Sequence, residues 1–90
     1  MSDKLNEARN KINVIDQQMK ELFLKRMEIV DEIIKEKKRF NLPIYDETRE
    51  KEVIKKNSED IDDELLKTCY INFLISLMNE SKKYQKEKLN

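Results

Sequence analysis

Apolar side chains recur at alternating steps of three and four along residues 5–39, a stretch that contains neither glycine nor proline. This spacing places one row of side chains on a single face of an α-helix and leaves charged side chains on the opposite face. We therefore predict one unbroken helix over residues 5–39. Its apolar row consists of Leu5, Ala8, Ile12, Ile15, Met19, Leu22, Ile29 and Ile33.

The predicted helix is long for the size of the chain. At the usual rise per residue it spans roughly 50 Å, whereas a compact chain of 90 residues has a radius of gyration of about 12 Å. The helix must therefore extend beyond its own monomer, and its apolar row needs cover from another molecule. A second copy of the chain is the simplest partner, so we expect a homodimer.

A break follows the first helix, because Pro43 cannot continue a helix and disfavours helical backbone at the residue before it. Asp46 then has the character of an N-cap and opens a short second helix over about 46–58. On this helix Asp46, Arg49 and Glu50 share one face.

The third predicted helix covers about 62–86 and is capped by Asp60 or Asp62. Two apolar rows run along it, and Ser81 and Gln85 continue one of them. Cys69 also falls on an apolar face, where we expect a small core side chain without a disulfide partner. The chain is thus predicted to be a single all-α domain over 1–90, with one long, one short and one medium helix, that forms a homodimer.

Composition narrows the chemistry. The chain has no histidine, which excludes histidine-dependent nucleophile activation, histidine general bases and histidine zinc sites. It has 19 basic and 19 acidic residues, so no net field attracts nucleic acid or anionic lipid. Its longest apolar cluster is too short to cross a bilayer. We expect a cytoplasmic protein that binds neither nucleic acid nor membrane, and any enzymatic reaction must depend on positioning and fixed charge, or on carboxylates.

Polar residues occupy several positions at which the apolar rows of the first and third helices would continue. Arg26 and Lys37 continue the row of the first helix, and a buried cation loses hydration unless an anion meets it. From the residues alone, Arg26 is an interhelical salt-bridge partner or part of an anion site, and Lys37 lies in either that site or water. Ser81 and Gln85, taken alone, mark a helix leaving the core.

Together these positions resemble the all-helical, or type II, chorismate mutase family. Along the first helix the family pattern matches Arg9, Ile12, Asp16, Arg26 and Lys37; in the connection and second helix it matches Pro43, Asp46, Arg49 and Glu50; and on the third helix it matches Glu80, Ser81 and Gln85. Each element is weak alone, but the ordered set at near-family spacing covers nearly the whole chain.

The resemblance implies an intertwined homodimeric helical bundle. It also implies an isomerase that converts chorismate to prephenate in aromatic amino-acid biosynthesis, within the shikimate pathway, and that needs neither a metal nor another cofactor. It implies that Arg26, assisted by Ser81, and Arg9 from the partner subunit hold the two carboxylates of the substrate. It further implies that Lys37 and Gln85 donate to the ether oxygen, that Glu50 binds the ring hydroxyl, and that Asp46 and Arg49 orient the substrate. The geometry agrees with a partner's Arg9, because 17 residues separate Arg9 from Arg26, or about 25 Å along one helix.

Two other functions remain open at this point. Isochorismate pyruvate lyase resembles the same family and uses similar cations on a similar dianion. A non-catalytic helical dimerisation module would explain Arg26 and Lys37 as interface cations, but not the other polar positions. Since no further domain is evident in the 90 residues, we expect a monofunctional enzyme without built-in feedback control.

Overall fold

A computed structural model describes residues 2–89 and contains three helices. They are α1 (Asp3–Arg39), α2 (Glu47–Ser58) and α3 (Glu64–Leu89). None of residues 2–89 forms a β-strand, so the all-α prediction is confirmed. The helix limits differ from the predicted 5–39, 46–58 and 62–86 by at most three residues.

The ends of α1 are closed by polar groups of the chain itself. Ser2 is the N-cap, and its side chain accepts a hydrogen bond from the Leu5 N–H. At the other end Asn41 has φ 52°, in the left-handed region, and the Leu42 N–H donates to the Lys37 carbonyl at 2.8 Å. This is a Schellman closure, in which asparagine takes the position usually held by glycine. It turns the chain sharply at Asn41, about one helical turn after Lys37.

Aspartate side chains begin both of the other helices. As predicted, Asp46 caps α2, and its Oδ1 accepts a hydrogen bond from the Arg49 N–H at 3.0 Å. The prediction that Asp60 or Asp62 caps α3 is wrong. Asp63 does so, accepting from the Leu66 N–H at 2.9 Å. The cap lies later because Ile61, which is half-buried, still belongs to the turn that follows α2.

The core is small and lies at one end of α1. α3 packs against both α1 and α2. The buried apolar side chains are Val30 and Ile34 of α1 with Leu74 and Met78 of α3. The chain measures 55 × 26 × 16 Å, with a radius of gyration of 16.7 Å, so the N-terminal part of α1 extends away from the core.

Much apolar surface therefore remains exposed in the single chain. Along α1 the predicted row faces outward, with Ile12 55 % and Leu22 64 % exposed. The expectation that Cys69 is a core residue is wrong for this chain, because Cys69 is exposed. It lies in the first half of α3, before the buried row of that helix begins at Leu74.

Candidate active site

A cavity of about 280 Å³ lies where the C-terminal third of α1 meets α2 and the last turns of α3. We call it the polar cavity. Its volume is near the lower end of the range for ligand pockets, roughly 300–1,000 Å³, which suits a small metabolite. Its lining residues are Arg26, Val30, Ile33, Lys37, Ile44, Asp46, Arg49, Glu50, Val53, Met78, Ser81, Lys82 and Gln85.

Arg26 and Ser81 form one wall of the polar cavity. The Arg26 Nη1 donates a hydrogen bond to the Ser81 Oγ at 2.6 Å, joining α1 to α3. Ser81 is 5 % exposed, whereas Arg26 is only half-buried. The hydrogen bond uses one of the five guanidinium N–H groups, so the others can still receive a carboxylate.

Lys37 and Gln85 form a second wall. The Lys37 Nζ donates to the Gln85 Oε1 at 2.9 Å and to the Ile44 carbonyl at 2.6 Å. The Schellman closure after Lys37 brings Ile44 back within reach of that side chain. Because the Gln85 carbonyl oxygen accepts from Lys37, its amide nitrogen is left to donate to a ligand. An ammonium and an amide donor are therefore adjacent in one partly buried place.

Burial lowers the pKa of Lys37 below the ordinary lysine value of 10.5, and the nearby carboxylates of Asp46 and Glu50 oppose that shift. The direction follows from desolvation, which disfavours the charged form of an ammonium. A bound anion would favour the protonated form again. The carboxylates of the cavity thus only partly offset the hydration that the Lys37 ammonium loses on burial.

The first turn of α2 supplies the third wall. Asp46 and Arg49 are exposed at the rim, and Glu50 lies deeper. Both Glu50 oxygens contact the Lys82 Nζ, at 3.0 and 3.3 Å. The predicted common face of Asp46, Arg49 and Glu50 thus borders the cavity that Lys37 and Gln85 line.

Arg9 is the predicted site residue that lies elsewhere. It is exposed on the N-terminal part of α1, about 25 Å along the helix axis from Arg26, and it does not line the polar cavity of its own chain. The other seven predicted site residues all line that cavity. They are Arg26, Lys37, Asp46, Arg49, Glu50, Ser81 and Gln85.

A second hollow adjoins the first. This apolar groove, of about 660 Å³, runs between the middle of α1 and α3 and is lined by Asp16, Met19, Lys20, Leu22, Phe23, Arg26, Phe73 and Leu77. Arg26 lines both hollows. Arg26 therefore lies at the boundary between the polar cavity and the exposed apolar surface.

Sequence reasoning missed two contacts near the site. It assigned no role to Lys82, which lines the polar cavity and lies with its Nζ 4.6 Å from the centre of the Tyr45 ring. It also missed the Tyr84 hydroxyl, which donates to the Asp31 Oδ1 at 2.8 Å and joins α3 to α1. That hydrogen bond raises the pKa of Tyr84. The available signal was proximity in sequence, since both residues lie between Ser81 and Gln85.

Comparison with known families gives a match that covers most of the chain. The family model described as chorismate mutase type II matches residues 8–86. The chain belongs to the chorismate mutase type II family. This family is a family of isomerases, and its match spans all three helices. No curated protein and no solved structure gave a significant match to the chain.

Two further features bear on what the chorismate mutase domain can bind. Within residues 2–89, no group of three cysteine or acidic side chains is arranged to hold a metal ion. The same residues contain no helix with the length and apolar character needed to cross a membrane.

Proposed function

We propose that the protein catalyses the rearrangement of chorismate to prephenate, a reaction of aromatic amino-acid biosynthesis. One C–O bond breaks as one C–C bond forms, without proton transfer or a covalent intermediate. Catalysis then requires a site that holds a flexible dianion in its reactive conformation and stabilises charge on the ether oxygen. The observation that carries the proposal is the adjacent Lys37 and Gln85 in a small cavity that also contains Arg26.

The charge of the polar cavity supports a dianionic substrate. Its lining includes four cationic and two carboxylate side chains, an excess of two positive charges. In the proposed complex, the planar guanidinium of Arg26 binds one substrate carboxylate, and Ser81 assists. Lys37 and the Gln85 amide donate to the ether oxygen, where negative charge develops as the bond breaks.

The remaining groups fix the ring. Glu50 accepts a hydrogen bond from the ring hydroxyl, and Asp46 and Arg49 at the rim orient the substrate. Each role follows from hydrogen-bonding capacity, because an ionised carboxylate accepts only and a guanidinium donates only. No step requires a general base, a metal or a cofactor.

We further propose that the active form is a homodimer in which Arg9 of the partner subunit completes each cavity. A second copy of α1 is the occupant that fits the apolar groove, since its own row of exposed apolar side chains needs the same cover. Because Arg26 lines both hollows, a helix in the groove lies beside the cavity. A side chain of that helix can then reach the second substrate carboxylate.

The primary test is to add chorismate to the purified protein and identify the product by chromatography, with isochorismate as a parallel substrate. Prephenate from chorismate, lost in Arg26→Ala, is the expected result. Release of pyruvate from isochorismate, with no prephenate from chorismate, would assign the lyase reaction instead. No reaction with either substrate would contradict the proposal and leave a helical dimerisation module as the better explanation.

Subunit exchange tests the shared site. Arg9→Ala and Lys37→Ala chains are each expected to be inactive. In an exchanged mixed dimer, one cavity keeps its own Lys37 and receives Arg9 from the other chain. Statistical assortment then restores up to about a quarter of wild-type activity. No recovery after exchange has been demonstrated by mass spectrometry would exclude the partner's Arg9 from the site.

A further inference from the structure

Lys82 adds to the positive charge of the polar cavity but has no individual role in the proposed reaction. It follows Ser81 on α3, and its Nζ is 3.0 Å from the Glu50 Oε2 and 3.3 Å from the Oε1. The face of the Tyr45 ring lies beside the same ammonium, 4.6 Å from ring centre to Nζ. Lys82, in the last turns of α3, thus contacts Tyr45 just before α2 and Glu50 on the face of α2 that borders the polar cavity.

This ion pair differs from three ion pairs on the surface of the same chain. The side chains of Lys82 and Glu50 are 26 % and 23 % exposed. The other pairs, Arg39 with Glu36, Lys51 with Glu47 and Lys83 with Glu80, join neighbouring turns of one helix and are all more than half exposed. Solvent screens such surface pairs, whereas a half-buried pair between helices fixes the geometry of both partners more strongly.

The contact has a consequence for Glu50. A glutamate side chain has several rotatable bonds and, without a partner, would turn towards water. Lys82 holds it against α3 within the cavity, where both Glu50 carboxylate oxygens lie within hydrogen-bonding distance of the Lys82 Nζ. Each carboxylate oxygen has more than one acceptor position, so Glu50 can accept from Lys82 and from a ligand hydroxyl together.

We propose that Lys82 is a positioning residue that holds Glu50 as the acceptor for the ring hydroxyl of the substrate. This inference rests on the proposed function. It differs from a direct role, in which Lys82 attracts the dianion by charge alone. If Lys82 is a positioning residue, its removal lowers activity only when Glu50 and the ring hydroxyl of the substrate are both present. If Lys82 acts directly, its removal lowers activity whether or not they are present.

The test is a double-mutant cycle of Lys82→Met and Glu50→Ala, with kcat and KM measured separately for chorismate. Methionine keeps most of the apolar stem that packs beside Tyr45. We expect Lys82→Met alone to lower kcat/KM about tenfold, and to lower it less than about twofold in the Glu50→Ala background. Lys82→Arg, which keeps the cation, should restore most of the activity.

A chorismate analogue without the ring hydroxyl supplies an independent readout, since with it Lys82→Met should change kcat/KM less than about twofold. The matched control is Lys83→Met, which removes an exposed pair from the same helix and should leave activity unchanged. Thermal unfolding of every variant separates a loss of fold from a loss of positioning.

Several results would overturn the inference. The first is that Lys82→Met and Glu50→Ala lower kcat/KM additively. The second is that Lys82→Met lowers kcat/KM equally for chorismate and for the analogue. The third is that Lys82→Met lowers the melting temperature and leaves kcat/KM unchanged. If the wild-type protein converts chorismate and one of these results is found, the proposed function stands and the role of Lys82 is wrong. If the wild-type protein does not convert chorismate, the proposed function fails and this inference fails with it.

Discussion

The polar cavity and the apolar groove differ in how completely a single chain builds them. In the polar cavity the polar side chains meet one another, as in the Arg26 to Ser81 and Lys37 to Gln85 hydrogen bonds. No buried side-chain nitrogen or oxygen atom within residues 2–89 lacks a hydrogen-bond partner. The apolar groove, by contrast, is bordered by large side chains that remain widely exposed, such as Leu22 and Phe73.

This difference separates two physical requirements. Hydrogen bonds between helices can be completed inside a small monomer, because each needs only two groups at the right distance. Burial of an apolar row along a 37-residue helix needs far more surface than the other helices of this chain provide. The polar side chains of the candidate site are thus brought together within one chain, whereas the same chain leaves the apolar row of α1 exposed.

The largest expected effect is on the polar cavity. Lys37→Ala should remove about 3 kcal/mol of transition-state stabilisation, a loss of roughly a hundredfold or more in kcat, because the ether oxygen loses its cationic donor. The dimer should persist. Steady-state kinetics measure the loss, and the adjacent exposed Lys38→Ala is the matched control. Activity within a few-fold of wild type would remove Lys37 from the reaction.

A charge placed in the apolar groove should act on association first. Leu22→Glu puts a carboxylate where the proposed partner helix lies, so we expect loss of the dimer in sedimentation experiments and loss of most activity with it. The control is Leu24→Glu, which adds the same charge at an exposed position outside the groove and nearly opposite on α1. A Leu22→Glu protein that remains a fully active dimer would assign the groove to another occupant.

The lowered pKa of Lys37 predicts a moderate effect of pH on the wild-type enzyme. Lys37 donates only when protonated, so kcat/KM should fall as the pH rises through its pKa, and that fall should begin below the ordinary lysine value of 10.5. A pH profile of kcat/KM measures it. A profile that stays flat up to that value would contradict either the shift or the role of Lys37.

The smallest expected effect concerns the contact that aligns α3 with α1. Tyr84→Phe removes the hydroxyl that donates to Asp31, so the melting temperature should fall by a few degrees and activity should change little. Tyr70→Phe, the same deletion on the same helix, is the comparison. If Tyr84→Phe instead abolishes activity at unchanged stability, the pair belongs to the catalytic machinery.

Much of this arrangement was predictable from the sequence, because it depends on local rules. The absence of glycine, the apolar spacing, Pro43 and the Asp46 cap define the helices and the first break between them. The order of polar residues along those helices predicted seven of the residues that line one cavity. Predicting them required no tertiary information beyond the faces of three helices and the resemblance to a family.

The features that sequence reasoning missed depend on tertiary position. Three aspartates near the start of α3 can each cap a helix, and the turn that contains Ile61 selects Asp63. Lys82 lies about 100° around α3 from Ser81, and only its long side chain returns to the cavity to meet Glu50. Cys69 has an apolar neighbourhood in sequence but no helix of its own chain covering it.

The unbroken helical backbone of α1 also limits which insertions and deletions this protein can accept. One residue added between Arg9 and Arg26 would rotate one arginine by about 100° relative to the other and displace it by about 1.5 Å. In the proposed symmetric dimer both sites would change together, because each α1 contributes Arg26 to one site and Arg9 to the other. The proposed shared site therefore requires a segment of fixed length between the two arginines, whereas residues 59–63, in the turn after α2, lie outside this constraint.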